Sequence, residues 1–352
     1  MKIVSVVGAR PQFIKAAPVS RALRQRHAEV LVHTGQHYDD NMSAVFFEEL
    51  GLPQPDVNLG VGSGSHGAQT GAMLAGIEQV LLAEKPDWVL VYGDTNSTLA
   101  GALAAAKLHI LVAHVEAGLR SFNRWMPEEV NRVLTDHVSD LLFCPSQTAV
   151  DNLVREGITA GVHLVGDVMA DALLWAAERA RARSKILEQV GVQEKGYLLA
   201  TVHRAENTDA PARLRAIMGA FAAPNEPVVF PIHPRTRACI QAFNLESEIH
   251  NLKSIAPVGY LDMVRLEQGA RMILTDSGGI QKEAYWLGVP CVTLRDETEW
   301  VETVQTGWNV LVGADTVRIV AAVREFALPQ ERPVLYGDGG AAIRVVHGLE
   351  SG

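Results

Sequence analysis

The segment from Met272 to Glu283 carries the residue types that bind a nucleotide. An apolar run ends at Thr275-Asp276, the turn Ser277-Gly278-Gly279 follows, and a helix-favouring sequence begins at once. A strand that turns into a helix through glycines points free backbone N–H groups at an anion, and the helix N-terminus favours negative charge. Glu283 follows about one and a half helical turns later, where it can accept hydrogen bonds from a ribose diol. The segment predicts a phosphate and ribose site, although Gly-Gly also occurs in such turns for purely steric reasons.

Two cations near the N-terminus are further candidates for binding phosphate. Arg10 and Lys15 flank the start of a predicted helix, where positive charge opposes the helix dipole unless an anion is also present. The segment 8–15 lacks the Gly-x-Gly-x-x-Gly fingerprint of dinucleotide-binding proteins, so we expect no nicotinamide or other cofactor. We also expect no metal, because the three cysteines are scattered and have no metal-ligand spacing.

Four titratable residues, Asp94, Glu116, Glu128 and His203, lie at or just after the ends of predicted strands. Each carboxylate also has a structural interpretation. Asp94 can cap a helix, Glu116 can pair with Arg120, and Glu128 can serve the first turn of a helix. Considered together beside an anion site, the four residues predict proton transfer on a nucleotide-linked substrate.

These residues must be positioned by parallel sheets, because short apolar strands alternate with amphipathic helices along the chain. We predict an α/β fold of two doubly wound domains, residues 1–168 and 169–338, with the break near 166–196. In such sheets ligands bind outside the carboxyl ends of the strands, so we expect a crevice between the domains. The predicted strands are 3–7, 29–32, 88–92, 111–115, 141–144, 163–165, 197–202, 228–232, 272–275 and 291–294, and the predicted helices include 12–26, 98–108, 146–156 and 171–187.

The composition predicts a cytoplasmic enzyme. The chain has 352 residues, of which 48% are hydrophobic and 20% charged, and its net charge is −9. This charge argues against nonspecific binding to nucleic acids or to anionic membranes. No apolar stretch approaches the roughly 18 residues that a membrane span requires, and the scattered cysteines favour a reducing compartment. We therefore expect a small-molecule substrate.

The ordered motifs resemble those of the non-hydrolysing UDP-N-acetylglucosamine 2-epimerases over nearly the whole chain. The matching segments are Gly8-Ala9-Arg10-Pro11 with Lys15, Thr34-Gly35-Gln36-His37, Gly93-Asp94-Thr95, His114-Val115-Glu116-Ala117-Gly118-Leu119-Arg120, Pro127-Glu128-Glu129 with Asn131-Arg132, His203-Arg204, Thr275-Asp276-Ser277-Gly278-Gly279 with Gln281 and Glu283, Leu294-Arg295-Asp296, and Tyr336-Gly337-Asp338-Gly339.

The resemblance implies two Rossmann-like domains of the GT-B type, a homodimer, and a last helix within 339–352 that crosses back to the first domain. It also implies interconversion of UDP-GlcNAc and UDP-ManNAc for cell-surface polysaccharides. The C2 proton of such a sugar has no adjacent carbonyl, so the reaction needs either oxidation by NAD or loss of UDP to a 2-acetamidoglycal. The missing dinucleotide fingerprint favours elimination, as the family's chemistry does.

The family's residue roles carry over by position. Proton transfer and charge stabilisation at C1 fall to Asp94, Glu116 and Glu128, and His203 is expected near the leaving phosphate. Which carboxylate removes the C2 proton stays open. The expected UDP-binding set is Arg10, Lys15, Ser277, Gly278, Gly279 and Glu283, together with Met263 and Trp300 as substrate contacts.

Two departures from the family pattern leave the sugar open. Trp300 stands where many members have an arginine, and Arg295, Arg120 or Arg124 is a candidate to replace that cation. The run 38–41 differs from that of relatives with an allosteric UDP-GlcNAc site. Both variants resemble epimerases of UDP-2,3-diacetamido-2,3-dideoxyglucuronate. That activity is one alternative, a GT-B glycosyltransferase is another, and a nucleotide-sugar sensor without catalysis is a third, which the full set of acids disfavours.

Overall fold

Two parallel sheets flanked by helices form the protein, in a computed structural model that describes residues 1–36 and 47–352. The chain divides into unit 1, Met1–Ala172 with Tyr336–Gly352, and unit 2, Leu173–Leu335. The predicted α/β class with two Rossmann-like doubly wound domains is confirmed. The domain limits derived from the sequence, residues 1–168 and 169–338, remain a prediction.

The sheet of unit 1 has the order β3-β2-β1-β4-β5-β6-β7 in the described part of the chain. Its strands read as continuous apolar runs because helices cover both faces; all five residues of β4 are buried. The strands are β1 Lys2–Val7, β2 Ala28–His33, β3 Val57–Asn58, β4 Trp88–Tyr92, β5 Leu111–Val115, β6 Leu141–Cys144 and β7 Val162–Leu164. The helices are Arg10–Leu23, His66–Glu84, Asn96–Lys107, Pro127–Val138, Gln147–Arg155 and Ala341–Ser351, and Val168–Arg183 begins in this unit.

The sheet of unit 2 has the order β10-β9-β8-β11-β12-β13. Successive residues point to opposite faces, so Leu198 and Leu274 join one core cluster while Leu199 and Ile273 join another. The strands are β8 Leu198–Thr201, β9 Val228–Pro231, β10 Lys253–Ile255, β11 Met272–Thr275, β12 Cys291–Thr293 and β13 Asn309–Leu311. The helices are Ile186–Val190, Ala205–Thr208, Pro211–Ala222, Pro234–Ala242, Tyr260–Gly269, Gly278–Leu287, Val301–Gln305 and Thr316–Glu325, with a 3₁₀ turn at Glu246–Ile249.

Both sheets reverse their strand order at one place, between β1 and β4 in unit 1 and between β8 and β11 in unit 2. Ligands of doubly wound sheets bind outside the carboxyl ends of the strands at this switch point. The turns that follow these four strands therefore position the candidate residues. They begin at Gly8, Gly93, Val202 and Asp276.

One predicted helix, 171–187, is wrong at its C-terminal end. The structure ends the helix at Arg183 and starts a separate one, Ile186–Val190. The hydroxyl of Ser184 accepts a hydrogen bond from the N–H of Ile186 and donates one to Asp262. A serine that binds the backbone in this way competes with helix continuation, which explains the break.

The helix Ala341–Ser351 belongs to unit 1 and packs on helix Arg10–Leu23. The carboxylate of Asp171 accepts hydrogen bonds from the N–H groups of Ala341 and Ala342 at the start of the helix, at 3.2 and 2.9 Å. Burial raises the pKa of Asp171, although these two bonds favour its charged form. Residues 336–352 thus complete the unit that residues 1–172 begin.

Candidate functional site

Glu116 follows β5 and forms an ion pair with Lys15 of the helix that follows β1. The Nζ of Lys15 lies 2.8 Å from Oε1 of Glu116, and the two side chains are 10% and 12% exposed. Burial opposes the charge on Lys15, but Glu116 and Asp94 raise the pKa of Lys15 above its ordinary value. Lys15 is thereby held at a carboxylate beside the end of β4, and its predicted contact with phosphate stays a prediction.

The alternative pairing of Glu116 with Arg120 is wrong. Arg120 instead donates to Asp136 and to Glu156, and its side chain is only 1% exposed. Both sides of the Arg120 guanidinium are thus occupied, so Arg120 cannot take the place of the arginine that many family members have at position 300. Glu116 itself has φ 74°, a left-handed backbone conformation that is uncommon for residues other than glycine.

Asp94 follows β4 through Gly93 and forms an ion pair with Arg132 of helix Pro127–Val138. The interpretation of Asp94 as a helix cap is wrong, because Thr95 caps helix Asn96–Lys107 and accepts from the N–H of Thr98. The Asp94 side chain is 27% exposed. Its carboxylate is therefore accessible and held by a cation, which suits a proton-transfer residue.

Glu128 is exposed in the first turn of helix Pro127–Val138. In the described residues its carboxylate has no hydrogen-bond or ion-pair partner. The buried structural role falls to the neighbouring Glu129, which accepts from the N–H groups of Ser121 and Phe122. Burial opposes the charge on Glu129, but these bonds hold its pKa below the usual value. Adjacent glutamates thus differ: Glu129 fixes a loop, and Glu128 points to solvent.

Arg10 is exposed at the first position of helix Arg10–Leu23, after β1. The Oε1 atom of Gln12 accepts from the N–H groups of Gly8 and Ala9 at 2.9 and 3.0 Å, so a side chain already occupies these donors. On the far side of the turn Gln36 accepts from the hydroxyl of Ser97 at 2.7 Å. His37 and the run 38–41 lie outside the described residues.

In unit 2, helix Gly278–Leu287 begins directly after β11, as the sequence predicts. Ser277 caps it by accepting from the N–H of Ile280 at 3.4 Å. Two side chains lie against Gly278, because a methyl group there would be 2.6 Å from Oε1 of Glu299 and 3.2 Å from Nε1 of Trp300. A carboxylate therefore occupies the helix N-terminus where we predicted phosphate.

Glu299 is held at this place by arginines. Its Oε2 atom lies 2.8 Å from Arg295, and its Oε1 atom lies 3.9 Å from Arg204. Trp300 extends its ring over the ammonium of Lys282, with 4.0 Å between Nζ and the ring centroid, a cation–π contact. The helix N-terminus therefore lies among two arginines, one carboxylate and an indole.

Glu283 and Glu267 form a buried acidic pair below the same helix. Burial raises the pKa of Glu283 to about 7, while Lys282 partly opposes the shift. Burial, followed by the charge of Glu283, raises the pKa of Glu267 well above its ordinary value. Both carboxyl groups therefore keep their protons to a higher pH than an exposed glutamate does. Met263, one turn earlier on helix Tyr260–Gly269, packs against the apolar core.

His203 follows β8, with Nδ1 3.3 Å from the buried carboxylate of Asp276. Burial lowers the pKa of His203 more than Asp276 raises it, so the ring is mainly neutral at pH 7. Asp276 was missed as a functional candidate. It accepts from the N–H groups of His203 and Arg204, and so fixes this turn. An acidic residue that closes a buried strand was the signal available in the sequence.

Neither a metal cluster nor a membrane helix is found in residues 1–36 and 47–352. In those ranges no group of three or more His, Cys, Asp or Glu side chains is arranged to hold a metal ion. No helix there is both long and apolar enough to cross a membrane.

Comparison with known proteins gives one consistent family. The sequence profile described as UDP-N-acetylglucosamine 2-epimerase matches residues 21–350. A homologue of that enzyme from Methanococcus maripaludis is 56% identical over 100% of both chains. The UDP-2,3-diacetamido-2,3-dideoxy-D-glucuronate 2-epimerase of Pseudomonas aeruginosa is 54% identical over 99% of both.

A solved structure agrees with these relatives. The UDP-GlcNAc 2-epimerase of Methanocaldococcus jannaschii is 46% identical and superposes with a TM-score of 0.90 over 100% of both chains. The same enzyme in complex with UDP-GlcNAc and UDP superposes with a TM-score of 0.85, again over 100% of both chains.

Proposed function

This chain belongs to the UDP-N-acetylglucosamine 2-epimerase family of isomerases, and from this we propose that it interconverts UDP-GlcNAc and UDP-ManNAc. The observation that carries the proposal is the cluster of Asp94, Glu116 and Lys15 at the switch point of unit 1. The reaction needs carboxylates that are held in place and differ in environment. A helix N-terminus and a buried glutamate in unit 2 supply the chemistry for a diphosphate and a ribose diol.

The atoms and electrons of the proposed reaction balance without a cofactor. A carboxylate removes the C2 proton, the C1–O bond to the diphosphate breaks, and UDP leaves with the bonding electron pair, which gives a 2-acetamidoglycal. In the return step a proton adds to C2 from the opposite face, and an oxygen of UDP forms the new bond to C1. No carbon is oxidised in the overall change, so the reaction uses proton transfer and charge stabilisation only.

In this proposal the residues divide by chemistry. Asp94, Glu116 and Glu128 transfer protons and stabilise positive charge at C1. His203, mainly neutral at pH 7, stands near the leaving phosphate. The diphosphate is held by Arg10, Lys15, Ser277, Gly278 and Gly279, the ribose by Glu283, and the remaining contacts are Met263 and Trp300.

Incubation with UDP-GlcNAc in D₂O, followed by proton NMR, tests the proposal. We expect deuterium at C2 of both epimers and a minor population of UDP-ManNAc. Retention of the C2 proton in the product would exclude the elimination route. Free ManNAc as the main product would show hydrolysis instead, and an unchanged substrate would remove the activity altogether. A sample without enzyme controls for spontaneous loss of UDP.

A second candidate substrate is a UDP-2,3-diacetamido-2,3-dideoxyuronate. It is favoured by Trp300 in place of the family arginine, and by the name of the Pseudomonas aeruginosa relative. We also propose that the chain acts in the cytoplasm as a homodimer and supplies an amino sugar for cell-surface polysaccharide. Sedimentation of the purified protein tests the oligomeric state.

A further inference from the structure

His114, within β5, makes two short hydrogen bonds although it is 0% exposed. Its Nδ1 atom lies 2.7 Å from Oδ1 of Asp136, and its Nε2 atom lies 2.7 Å from the carbonyl oxygen of Gly93. A carbonyl oxygen can only accept hydrogen bonds, and an ionised carboxylate likewise has no hydrogen to donate. Both ring nitrogens of His114 therefore face acceptors.

The partner carboxylate is ionised. Burial opposes the charge on Asp136, but hydrogen bonds from His114 and Arg120 hold its pKa below the ordinary value. Its second oxygen accepts from Arg120 at 2.7 Å and from the N–H of Gly118 at 3.1 Å. Arg120 also pairs with Glu156 through two bonds of 2.7 and 2.8 Å. A doubly protonated His114 gives this cluster two cations and two anions, which removes the cost of an unpaired buried charge.

The same bonds hold the two turns that carry the candidate carboxylates. Gly93 donates its N–H to the carbonyl of Val115 at 3.0 Å and accepts from His114 with its own carbonyl, so β5 holds this residue on both sides. Asp94 is the next residue. Asp136 binds His114 and Gly118, which stand two residues before and two residues after Glu116. The left-handed backbone at Glu116 needs such support, because residues other than glycine adopt it at a cost.

We infer that His114 is a buried imidazolium and a positioning residue, which fixes Asp94 and Glu116 for proton transfer through Gly93 and Asp136. His114 has no exposed surface, so it is not a catalytic residue. This inference rests on the proposed function for the role of the two carboxylates. The protonation state of the ring does not depend on that function.

Nitrogen NMR of the ¹⁵N-histidine-labelled protein at about pH 7 tests the protonation state. We expect one histidine with a proton on each ring nitrogen, and we expect its signals to vanish in His114→Asn. An unprotonated ring nitrogen assigned to His114 would overturn the inference. This measurement uses folded wild-type protein, so it decides the question even if the variants do not fold.

Two variants separate the two hydrogen bonds. His114→Asn keeps a donor near the position of Nδ1, and His114→Gln keeps one near Nε2. If the bond to Gly93 positions Asp94, kcat for epimerisation falls by at least ~10-fold in His114→Asn and less in His114→Gln, because small displacements of reacting groups lower rates steeply. UDP affinity should fall less than kcat, since the proposed UDP contacts Ser277 to Glu283 lie in unit 2, and only Arg10 and Lys15 lie in the unit that holds His114.

His163→Asn, at an exposed histidine of the same unit, is the matched control and should keep wild-type kcat. Wild-type kcat in folded His114→Asn would overturn positioning through Gly93, and wild-type kcat in folded His114→Gln would overturn positioning through Asp136. Failure of the proposed function has a different signature, because wild-type protein would then show no exchange at C2 while the NMR signals of His114 remain.

Discussion

The ammonium of Lys15 and the carboxylate of Glu116 lie 2.8 Å apart and are both nearly buried, so each neutralises a charge that burial would otherwise penalise. The pair joins the helix after β1 to the turn after β5. It places a cation and an anion at the end of β4, next to Asp94, where the proposed reaction moves a proton. Glu116 thus contributes an ion pair to stability beside its proposed part in catalysis, and the two contributions can be separated.

Lys15→Met should lower the free energy of unfolding by about 3 kcal/mol, because it leaves a carboxylate buried without its partner. The double variant Lys15→Met with Glu116→Gln should recover part of this loss, since it removes the unpaired charge. Urea denaturation of wild type, both single variants and the double variant measures the coupling. A double variant as unstable as the sum of the singles would show that the pair contributes nothing.

Asp94→Asn, Glu116→Gln and Glu128→Gln should each lower kcat by at least ~10²-fold and leave UDP affinity largely intact, the usual scale for a positioned acid or base. Glu129→Gln is the matched comparison for Glu128→Gln. It should mainly lower stability, because Glu129 holds the loop at Ser121 and Phe122. Near-normal turnover in any of the first three variants returns that carboxylate to a structural role.

UDP affinity should rise with pH between about 6 and 8. Burial raises the pKa of Glu283 to about 7, so its carboxylate, the better acceptor for a ribose diol, forms only as the pH passes that value. Isothermal titration calorimetry with UDP across this range measures the effect. In Glu283→Gln the part due to this residue should disappear, whereas Glu267→Gln should retain it because that variant keeps the carboxyl group of Glu283. A dependence that survives in Glu283→Gln must come from another group.

Glu299→Gln should tighten UDP binding several-fold. The carboxylate of Glu299 lies at the N-terminus of helix Gly278–Leu287, bound by Arg295, and repels an incoming diphosphate. The amide keeps the shape and removes the charge. The gain should shrink at high salt, which screens charges at this partly exposed site. Weaker binding in the variant would mean that Glu299 positions the arginines for the phosphate instead of competing with it.

Steady-state kinetics with UDP-GlcNAc and with a UDP-2,3-diacetamido uronate tests the effect of Trp300. Tryptophan in place of the arginine of many family members should weaken a charge-assisted contact with the nucleotide sugar by roughly 1.5–3 kcal/mol, unless another group replaces the arginine. Arg295 is near enough to the same turn to do so. We expect UDP-GlcNAc to be the better substrate. A kcat/KM that favours the uronate by about tenfold or more would show a pocket retuned for the modified sugar.

Much of the fold follows from the sequence, because buried parallel strands consist of continuous apolar runs. Four strands, β4, β5, β6 and β11, have the limits that the sequence predicts. The strands β3, β10 and β13 were missed, since each has only two or three residues and one or more of them lies near the surface. Short edge strands of this kind carry almost no periodic signal.

The candidate site could be located from the sequence but its pairings could not. The apolar runs show where strands end, and the structure places Asp94, Glu116, His203 and Ser277 just after strands, as the sequence predicts. Partner choice depends on side chains that meet across the sheet. The pairs Lys15–Glu116 and Arg132–Asp94 join residues that are 101 and 38 positions apart. The protonation of His114 likewise depends on two acceptors from other elements.

Unit 1 is built from two separate segments of the chain, and this has a consequence for its synthesis on the ribosome. Residues 336–352 emerge after every residue of unit 2 has been translated. Until then Asp171 lacks the amide groups of Ala341 and Ala342, and helix Arg10–Leu23 lacks the helix that covers it. Unit 2 is contiguous and can complete its sheet before residues 336–352 are translated, whereas unit 1 can close only after they are. A chain that stops before residue 336 would thus contain a complete unit 2 and an incomplete unit 1, a form that proteases would degrade.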